Sequence, residues 1–324
     1  MGKLLIEEPY NSDVVSQILL IAGISPNLEV VYDYIFLFSN IHIGVKITTT
    51  RGQPAGVRSK YTCSESSQRL NAGDLTYAFL VGLIEGDGWF SVTKKGKYVL
   101  YELGIELEIR DVQLIHKIKD LLGVGIISFR ERKGGSKMVC LRIRKKSHLI
   151  NQILPIFDKY PLLSNKQYDY LRFRHALLSG IILYEDLPEY TRPLSPLNFD
   201  KSILSAAYFP AWLVGFIEAE ACFSIYKANN SPSLIASFEV SQTNGESLIK
   251  AIREYLSLIP SVTVDQTNSY RIKVSSVRSV ENVIKFIQKA PVKLLGHKKL
   301  QYLLWIKQLR TIERYRRINI PSKY

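Results

Sequence analysis

Acidic side chains, cysteines and long apolar runs are all scarce in this chain. Its three cysteines, Cys63, Cys140 and Cys222, are an odd number at distant, patternless spacings. That excludes a disulfide framework and a cysteine-type zinc site and points to a reducing compartment. The segments ILLIAGI and YIFLF stop well short of the ~20 apolar residues that cross a bilayer, so no membrane is expected among the partners. The opening MGKLLIEEPYNSD is acidic early and has no Arg-rich amphipathic pattern, so neither a signal peptide nor a transit peptide is evident. Acids number 29 against 43 Lys plus Arg, a formal net charge of +14. Residues 1–72 hold six of each sign, so the entire excess falls in residues 73–324. A basic balance of this size points to a polyanionic partner, because each neutralised phosphate releases a condensed counterion.

What the chain has is a repeat. LVGLIEGDGWF at 80–90 and LVGFIEAEACF at 213–223 share six of eleven positions at an offset of 133. FSVTK and FSIYK continue the match at that offset. LLSNKQYDYL at 162–171 faces LLGHKKLQYL at 294–303 at 132, and CLRIRKKS at 140–147 faces SYRIKVSS at 269–276 at 129. Such steady offsets over about 90 residues mark a tandem duplication.

Each copy reads as a helix carrying the eleven-mer, two alternating strands, a second helical period, a second hairpin, and a closing helix starting near Lys166 or Lys298. The expected fold class is α+β, two pseudo-symmetric αββαββα domains forming a basic β-sheet saddle, with the motif helices at the domain interface. Expected boundaries are an N-terminal extension with a flexible connector at 1–72, a first domain at 73–184, a linker at 185–205 containing Pro188, Pro193 and Pro196, and a second domain at 206–324. Residues 74–324 are all that the duplication requires.

Gly82 and Gly86 stand four apart, as do Gly215 and Ala219, leaving one face of each motif helix free of bulky side chains. An interior glycine costs a helix about 1 kcal/mol relative to alanine, so close helix-to-helix packing is the expected compensation. If the helices pack about a pseudo-twofold axis, Asp87 and Glu220 meet at their C-terminal ends. There the helix dipole disfavours them by roughly 0.3–1 kcal/mol, and they repel each other. A divalent cation removes both penalties, and Mg²⁺ suits a sparse set of hard oxygen donors that also face phosphate.

In LRIRK, Arg142 and Arg144 alternate with apolar Leu141 and Ile143, and Arg271 and Lys273 do the same in YRIKV. One face of each sheet is therefore basic. With Arg130, Arg132, Lys94 and Lys227 these side chains are expected to line a saddle that takes double-stranded DNA, since antiparallel ribbons enter the major groove. Lys166 and Lys298 lie 79 and 78 residues after Asp87 and Glu220. A lysine beside a metal orients the attacking water or neutralises charge at phosphorus.

On these residues the chain resembles the LAGLIDADG homing endonucleases, whose name spells the motif seen here as LVGLIEGDG and LVGFIEAEA. The likeness covers residues 74–324, with both motif copies in one chain. It is nearest to the bifunctional endonuclease/maturases of fungal mitochondrial cytochrome b group I introns, through DLTYAFLVGLIEGDGWFSVTKKGKY, LSNKQYDYLRFRHALLSGII and APVKLLGHKKLQYLLW. The resemblance implies a mitochondrial monomer that cuts both strands of a long DNA target with Mg²⁺, Mn²⁺ substituting, and that also binds group I intron RNA and assists splicing. It implies Asp87 and Glu220 as metal ligands with the carbonyls of Gly86 and Ala219, and Lys166, Lys298 and Gln242 as the surrounding catalytic pocket. One residue departs from the pattern, Ala221 where the motif ends in glycine. If the backbone turns left-handed there, a Cβ is penalised by roughly 1 kcal/mol. Cleavage would then be reduced, nick-biased or lost while RNA assistance survives.

Overall fold

Helix α1 (Ala72–Asp87) carries the first eleven-mer and runs straight into β1 (Gly88–Lys95) and β2 (Tyr98–Glu108). Next come α2 (Val112–Leu122), β3 (Ile126–Glu131), β4 (Lys137–Ile143), α3 (Leu154–Lys159) and α4 (Lys166–Leu178). The second copy repeats the order as α5 (Phe209–Glu220), β5 (Ala221–Lys227), β6 (Leu234–Thr243), α6 (Glu246–Tyr255), β7 (Thr263–Val264), β8 (Ser269–Val274), α7 (Val277–Lys289) and α8 (His297–Leu309). This computed structural model describes residues 72–195, 197–228 and 233–320. Residues 1–71 of the extension expected at 1–72 lie outside the described residues, as does Pro196, and Ala72 already begins α1. Leu70–Tyr324 form one compact unit.

Each copy has one helix more than αββαββα. α3 and α7 precede the closing helix, and in α7 the spacing of Val280, Val283, Ile284 and Ile287 gives a buried helical stripe.

Both sheets are four-stranded and antiparallel, ordered β1-β2-β4-β3 and β5-β6-β8-β7. Gly134 and Gly135, at φ +108° and +85°, make the β3–β4 turn, where a side chain would be strained. Register divides the faces. Phe90, Val92, Tyr101, Leu103, Val139 and Leu141 share one face of the first sheet and are buried. The opposite face presents Trp89, Glu102, Glu106, Arg130 and Arg142. In the second sheet Phe223, Phe238, Val240 and Ile272 are buried, against Ser224, Glu239, Arg271 and Lys273 on the other side.

The linker is strapped to α4. The Asn165 amide donates to the carbonyls of Pro193 and Ser195 at 3.1 and 3.0 Å and accepts from the Leu197 N–H at 2.8 Å. Arg192 pairs with Asp169.

The motif helices α1 and α5 meet with almost nothing between their backbones. A Cβ added to Gly82 would stand 1.9 Å from the Trp212 carbonyl oxygen, and one added to Gly215 would stand 1.9 Å from that of Phe79. Both contacts obey the same twofold relation, and Gly86 lies on Ala219 and Glu220 farther along. Backbone oxygen does not yield as a flexible side chain does, so Gly82→Ala or Gly215→Ala must push the helices apart. Overpacking of this kind costs about 1–3 kcal/mol or more. Thermal unfolding of either variant is expected several degrees lower, at roughly 2–4 °C per kcal/mol. An unchanged midpoint would show that the seam is looser than described.

Candidate functional site

The seam ends where α1 and α5 hand over to their first strands, and Asp87 and Glu220 are the last residues of those helices. The Glu220 side chain crosses to the other copy, its Oε1 lying 2.9 Å from where a Cβ on Gly86 would be. Gly86 thus leaves the space that the second acid fills. Burial pushes Asp87 up to about 6, against the lowering pull of Lys166 and Lys298. Burial pushes Glu220 up to about 7, with the charge of Asp87 adding to the rise.

Two further acids of the motif, Glu85 and Glu218, place the lysines. Glu85 is fully buried and accepts from the N–H groups of Leu163 and Ser164 at 2.6 and 3.2 Å and from the Ser164 hydroxyl. Glu218 does the same for Leu295 and Gly296 at 2.8 and 3.0 Å. Each carboxylate therefore fixes the loop that launches a closing helix, α4 or α8, at whose start a lysine sits. Burial raises Glu85 and takes Glu218 to about 7.

Lys166 Nζ donates to the carbonyls of Ile84, Gly86 and Gly88 at 2.7, 3.0 and 2.6 Å. An ammonium has three protons, and all three are committed to the C-terminal end of α1, where a cation is favoured. Burial lowers its pKa, which Glu85, Glu220 and Asp87 oppose. Lys298 donates to the Ala221 carbonyl and lines, with Asp87, Asp111, Arg132, Glu106 and Glu218, a cleft of about 230 Å³. Gln242 stands near the end of β6, its Oε1 buried without a protein partner.

Asp111, which sequence reasoning missed, joins the two copies. Its Oδ1 accepts from the His297 N–H at 2.6 Å, and its charge raises both Asp87 and Glu218. No local pattern marks it, because its neighbours come from the other repeat, 186 residues away.

Three expectations need correction. Ala221 has φ −86° and ψ 156°, ordinary extended backbone, and Gly88 is not among the glycines of positive φ. The small residue at 88 answers to space, since a Cβ there would meet Ile84 Cγ2 at 2.6 Å. Ala221 therefore carries no left-handed penalty, and the reason for a crippled site disappears. Lys94 and Lys227 lie on the wrong side for the saddle. They pair with Val99 and Leu234 and share the parity of Phe90 and Phe223, and Lys94 sits over the Tyr184 ring at 5.6 Å.

The remaining basic residues do share the polar faces, with acidic partners that sequence reasoning missed. Glu106 takes Arg130 and Arg132, Glu102 takes Arg142 and Arg144, and Glu239 takes Arg271 and Lys273. The strand alternation that exposed the arginines also placed Glu102 and Glu106 on their face, the one signal that would have found them.

The donor chemistry at the seam fits a hard divalent cation: two carboxylates whose charge is penalised where they stand. Among the described residues no cluster of three or more His, Cys, Asp or Glu is assembled to hold a metal. The sign of the pH dependence follows. Asp87, Glu218 and Glu220 bind more protons folded than unfolded between their ordinary values, 3.8 and 4.5, and about 6 to 7. The protein free of divalent ions therefore loses stability as pH rises through that window. At pH 8 in a chelator, Asp87→Asn is expected to unfold several degrees above wild type, the gain vanishing near pH 4. A variant that melts lower at pH 8 would sink the assignment of charge strain.

The sequence pattern of the LAGLIDADG endonuclease family matches residues 80–177 and 213–309. The probable intron-encoded endonuclease Cox1-I1b of Schizosaccharomyces pombe is 29% identical over 258 residues, 72% of this chain and 63% of that protein. The probable intron-encoded endonuclease aI3 of Dictyostelium citrinum is 28% identical over 229 residues, 68% of this chain and 89% of its own length. The uncharacterized mitochondrial protein RF1 of Saccharomyces cerevisiae is 29% identical over 202 residues, 56% of this chain. This chain spans less than two thirds of the S. pombe relative and 39% of the S. cerevisiae one. Among solved structures, the meganuclease I-SmaMI bound to uncleaveable DNA superposes with a TM-score of 0.59 at 24% identity, over 74% of this chain and 92% of that one. The meganuclease I-AabMI bound to uncleaved DNA gives 0.57 at 25% identity, over 72% and 89%. Two matches to one family pattern, spaced by the internal repeat of the chain, make it a member of the LAGLIDADG endonuclease family.

Proposed function

We propose that this chain is an intron-encoded, site-specific DNA endonuclease that hydrolyses both strands of a long duplex at the seam between its two repeats. The observation that carries the reading is Glu220 reaching across to Gly86, beside Asp87, with a partly buried lysine serving each copy. Asp87 and Glu220 hold the divalent ion, Mg²⁺ with Mn²⁺ able to replace it, and the carbonyls of Gly86 and Ala219 lie beside them. A bound cation would polarise the scissile phosphate and ease deprotonation of water. Lys166 and Lys298 hold positive charge against the phosphate as negative charge builds in the transition state, and Gln242 orients water. Asp111 belongs with them, because it lines the same cleft as Asp87 and Lys298 and holds the His297 N–H of the other copy.

Intron-encoded names among the relatives, and the mitochondrial name of one, support a mitochondrial setting. DNA in the structures of I-SmaMI and I-AabMI supports a duplex partner on the polar sheet faces. Assistance to group I intron splicing by RNA binding is the second part of the proposal, and its support is the likeness of the sequence to bifunctional members.

Purified protein with Mg²⁺ is expected to cut both strands of a duplex carrying the intronless exon junction of its host gene. Asp87→Asn and Glu220→Gln should each lower cutting by about 10²- to 10³-fold or more with duplex binding retained. Wild-type rates from Asp87→Asn would overturn the assignment of the site. Ala221→Gly should leave both cuts within about threefold, as expected of a substitution that relieves no strain. A large gain from it would restore the case for a weakened second copy.

A further inference from the structure

The two polar sheet faces are not chemically equivalent, although the seam between the copies is nearly symmetric. In the first copy Glu102 and Glu106 are 10% and 4% exposed at the side chain, while their arginine partners reach solvent. Three of the four arginines hydrogen-bond through Nε, and the Nε of Arg142 is left without a hydrogen bond. Arg130 gives Nε and Nη2 to Glu106, the latter at 2.7 Å, and Arg132 gives Nε and Nη2 at 3.1 and 2.5 Å. Arg144 gives Nε to Glu102 at 2.5 Å, and Arg142 Nε faces it at 3.8 Å. Trp89 Nε1 also donates to Glu102, at 3.1 Å.

A guanidinium gripped along its Nε edge still offers its terminal nitrogens, the pair that matches O6 and N7 of guanine. The second copy has no such set. Strand register pairs Ser91 with Glu102 but Ser224 with Ser237, and Trp89 with Gly104 but Cys222 with Glu239, so Ser237 stands where Glu102 does, Ser241 where Glu106 does, and Glu239 where Gly104 does. β7 is two residues long, against six in β3, and brings no arginine. Arg271 is engaged at both ends, Nε with Glu239 and Nη2 near Asp265, and Lys273 lies over Tyr226. Hydroxyls dominate there instead, with Ser224 and Ser237 hydrogen-bonded to each other at 2.8 Å.

We propose that Glu102 and Glu106 are positioning residues for base recognition. They clamp arginines by the Nε edge so that their free ends read guanines, and they make the half of the DNA target under the first repeat the stringently read half. The inference rests on the duplex-binding reading of the sheets given above. An arginine held this way loses little rotamer freedom on binding, so the clamp favours discrimination more than total affinity. The acids also cancel positive charge, which weakens sequence-independent phosphate attraction.

The test is binding selection from a randomised duplex library in chelator, followed by the same selection with Glu102→Gln. Wild type should enrich guanine at defined positions in one half of its site, by about 10- to 100-fold over other bases, with weaker preferences in the other half. Glu102→Gln should lower guanine preference about 3- to 10-fold at one or two of those positions. Its affinity for arbitrary duplex should stay the same or rise, a direction that misfolding does not produce. Should that variant fold poorly, Arg144→Lys keeps the charge, removes the fork and is expected to relax one of the same positions. An unchanged base profile in both variants, or guanine preference spread equally over both halves, overturns the inference. Failure to enrich any duplex overturns the DNA-binding reading beneath it, a separate and recognisable result.

Discussion

The direct contact of two helix backbones at Gly82 and Gly215 governs the rest of the molecule. A carbonyl of one helix occupies the place where the other would carry a Cβ, so the two backbones touch with no side chain between them there. That closeness brings the C-terminal ends of α1 and α5 together, and with them Asp87 and Glu220. Any larger residue at 82 or 215 would separate the acids and release the Glu220 side chain from its place on Gly86. The seam is at once the centre of the core and the floor of the site.

Gathering those charges is costly. Four carboxylates of the two motifs are buried or nearly so, and each sits where its ionised form is disfavoured. The molecule divides them by function. Glu85 and Glu218 are satisfied by backbone N–H groups and serve to aim the loops before α4 and α8. Asp87 and Glu220 are left with the charge of the lysines and no protein hydrogen bond of that kind. A site that holds strain of this sort is organised around something that arrives, which is why perturbed acids in a cleft point to function.

Much of this was legible in the sequence because the duplication supplied its own control. A lone Gly-x-x-x-Gly or a lone acid says little, but the same residues at a steady offset gave the helix interface, the paired acids and the lysines. What stayed hidden has physical causes. For Lys94 and Lys227 charge and parity point to different faces, and parity decides: Phe90 and Val92 put Lys94 on the buried-side register. Ala221 misled because a glycine following a helix suggests a left-handed turn, whereas here the helix passes straight into an extended strand. Asp111 and the clamps of Glu102 and Glu106 depend on tertiary approach, which no spacing encodes.

The two copies have kept the seam alike and let the sheets differ, and the geometry explains why. A twofold contact is self-complementary, so Gly82 must fit the Trp212 backbone while Gly215 fits that of Phe79, and a change in either copy is felt by both. The sheet faces obey no such constraint. Each sheet pairs its strands only within its own copy, so its polar face is set by that copy's own residues. Four arginines and two buried acids can therefore occupy one face while the other carries the Ser224–Ser237 pair beside Glu239, Arg271 and Lys273, without disturbing the acids at the centre. Fusing the copies into one chain removes the requirement that a symmetric dimer meet a symmetric partner. An asymmetric pair of sheets is how such a chain can use that freedom.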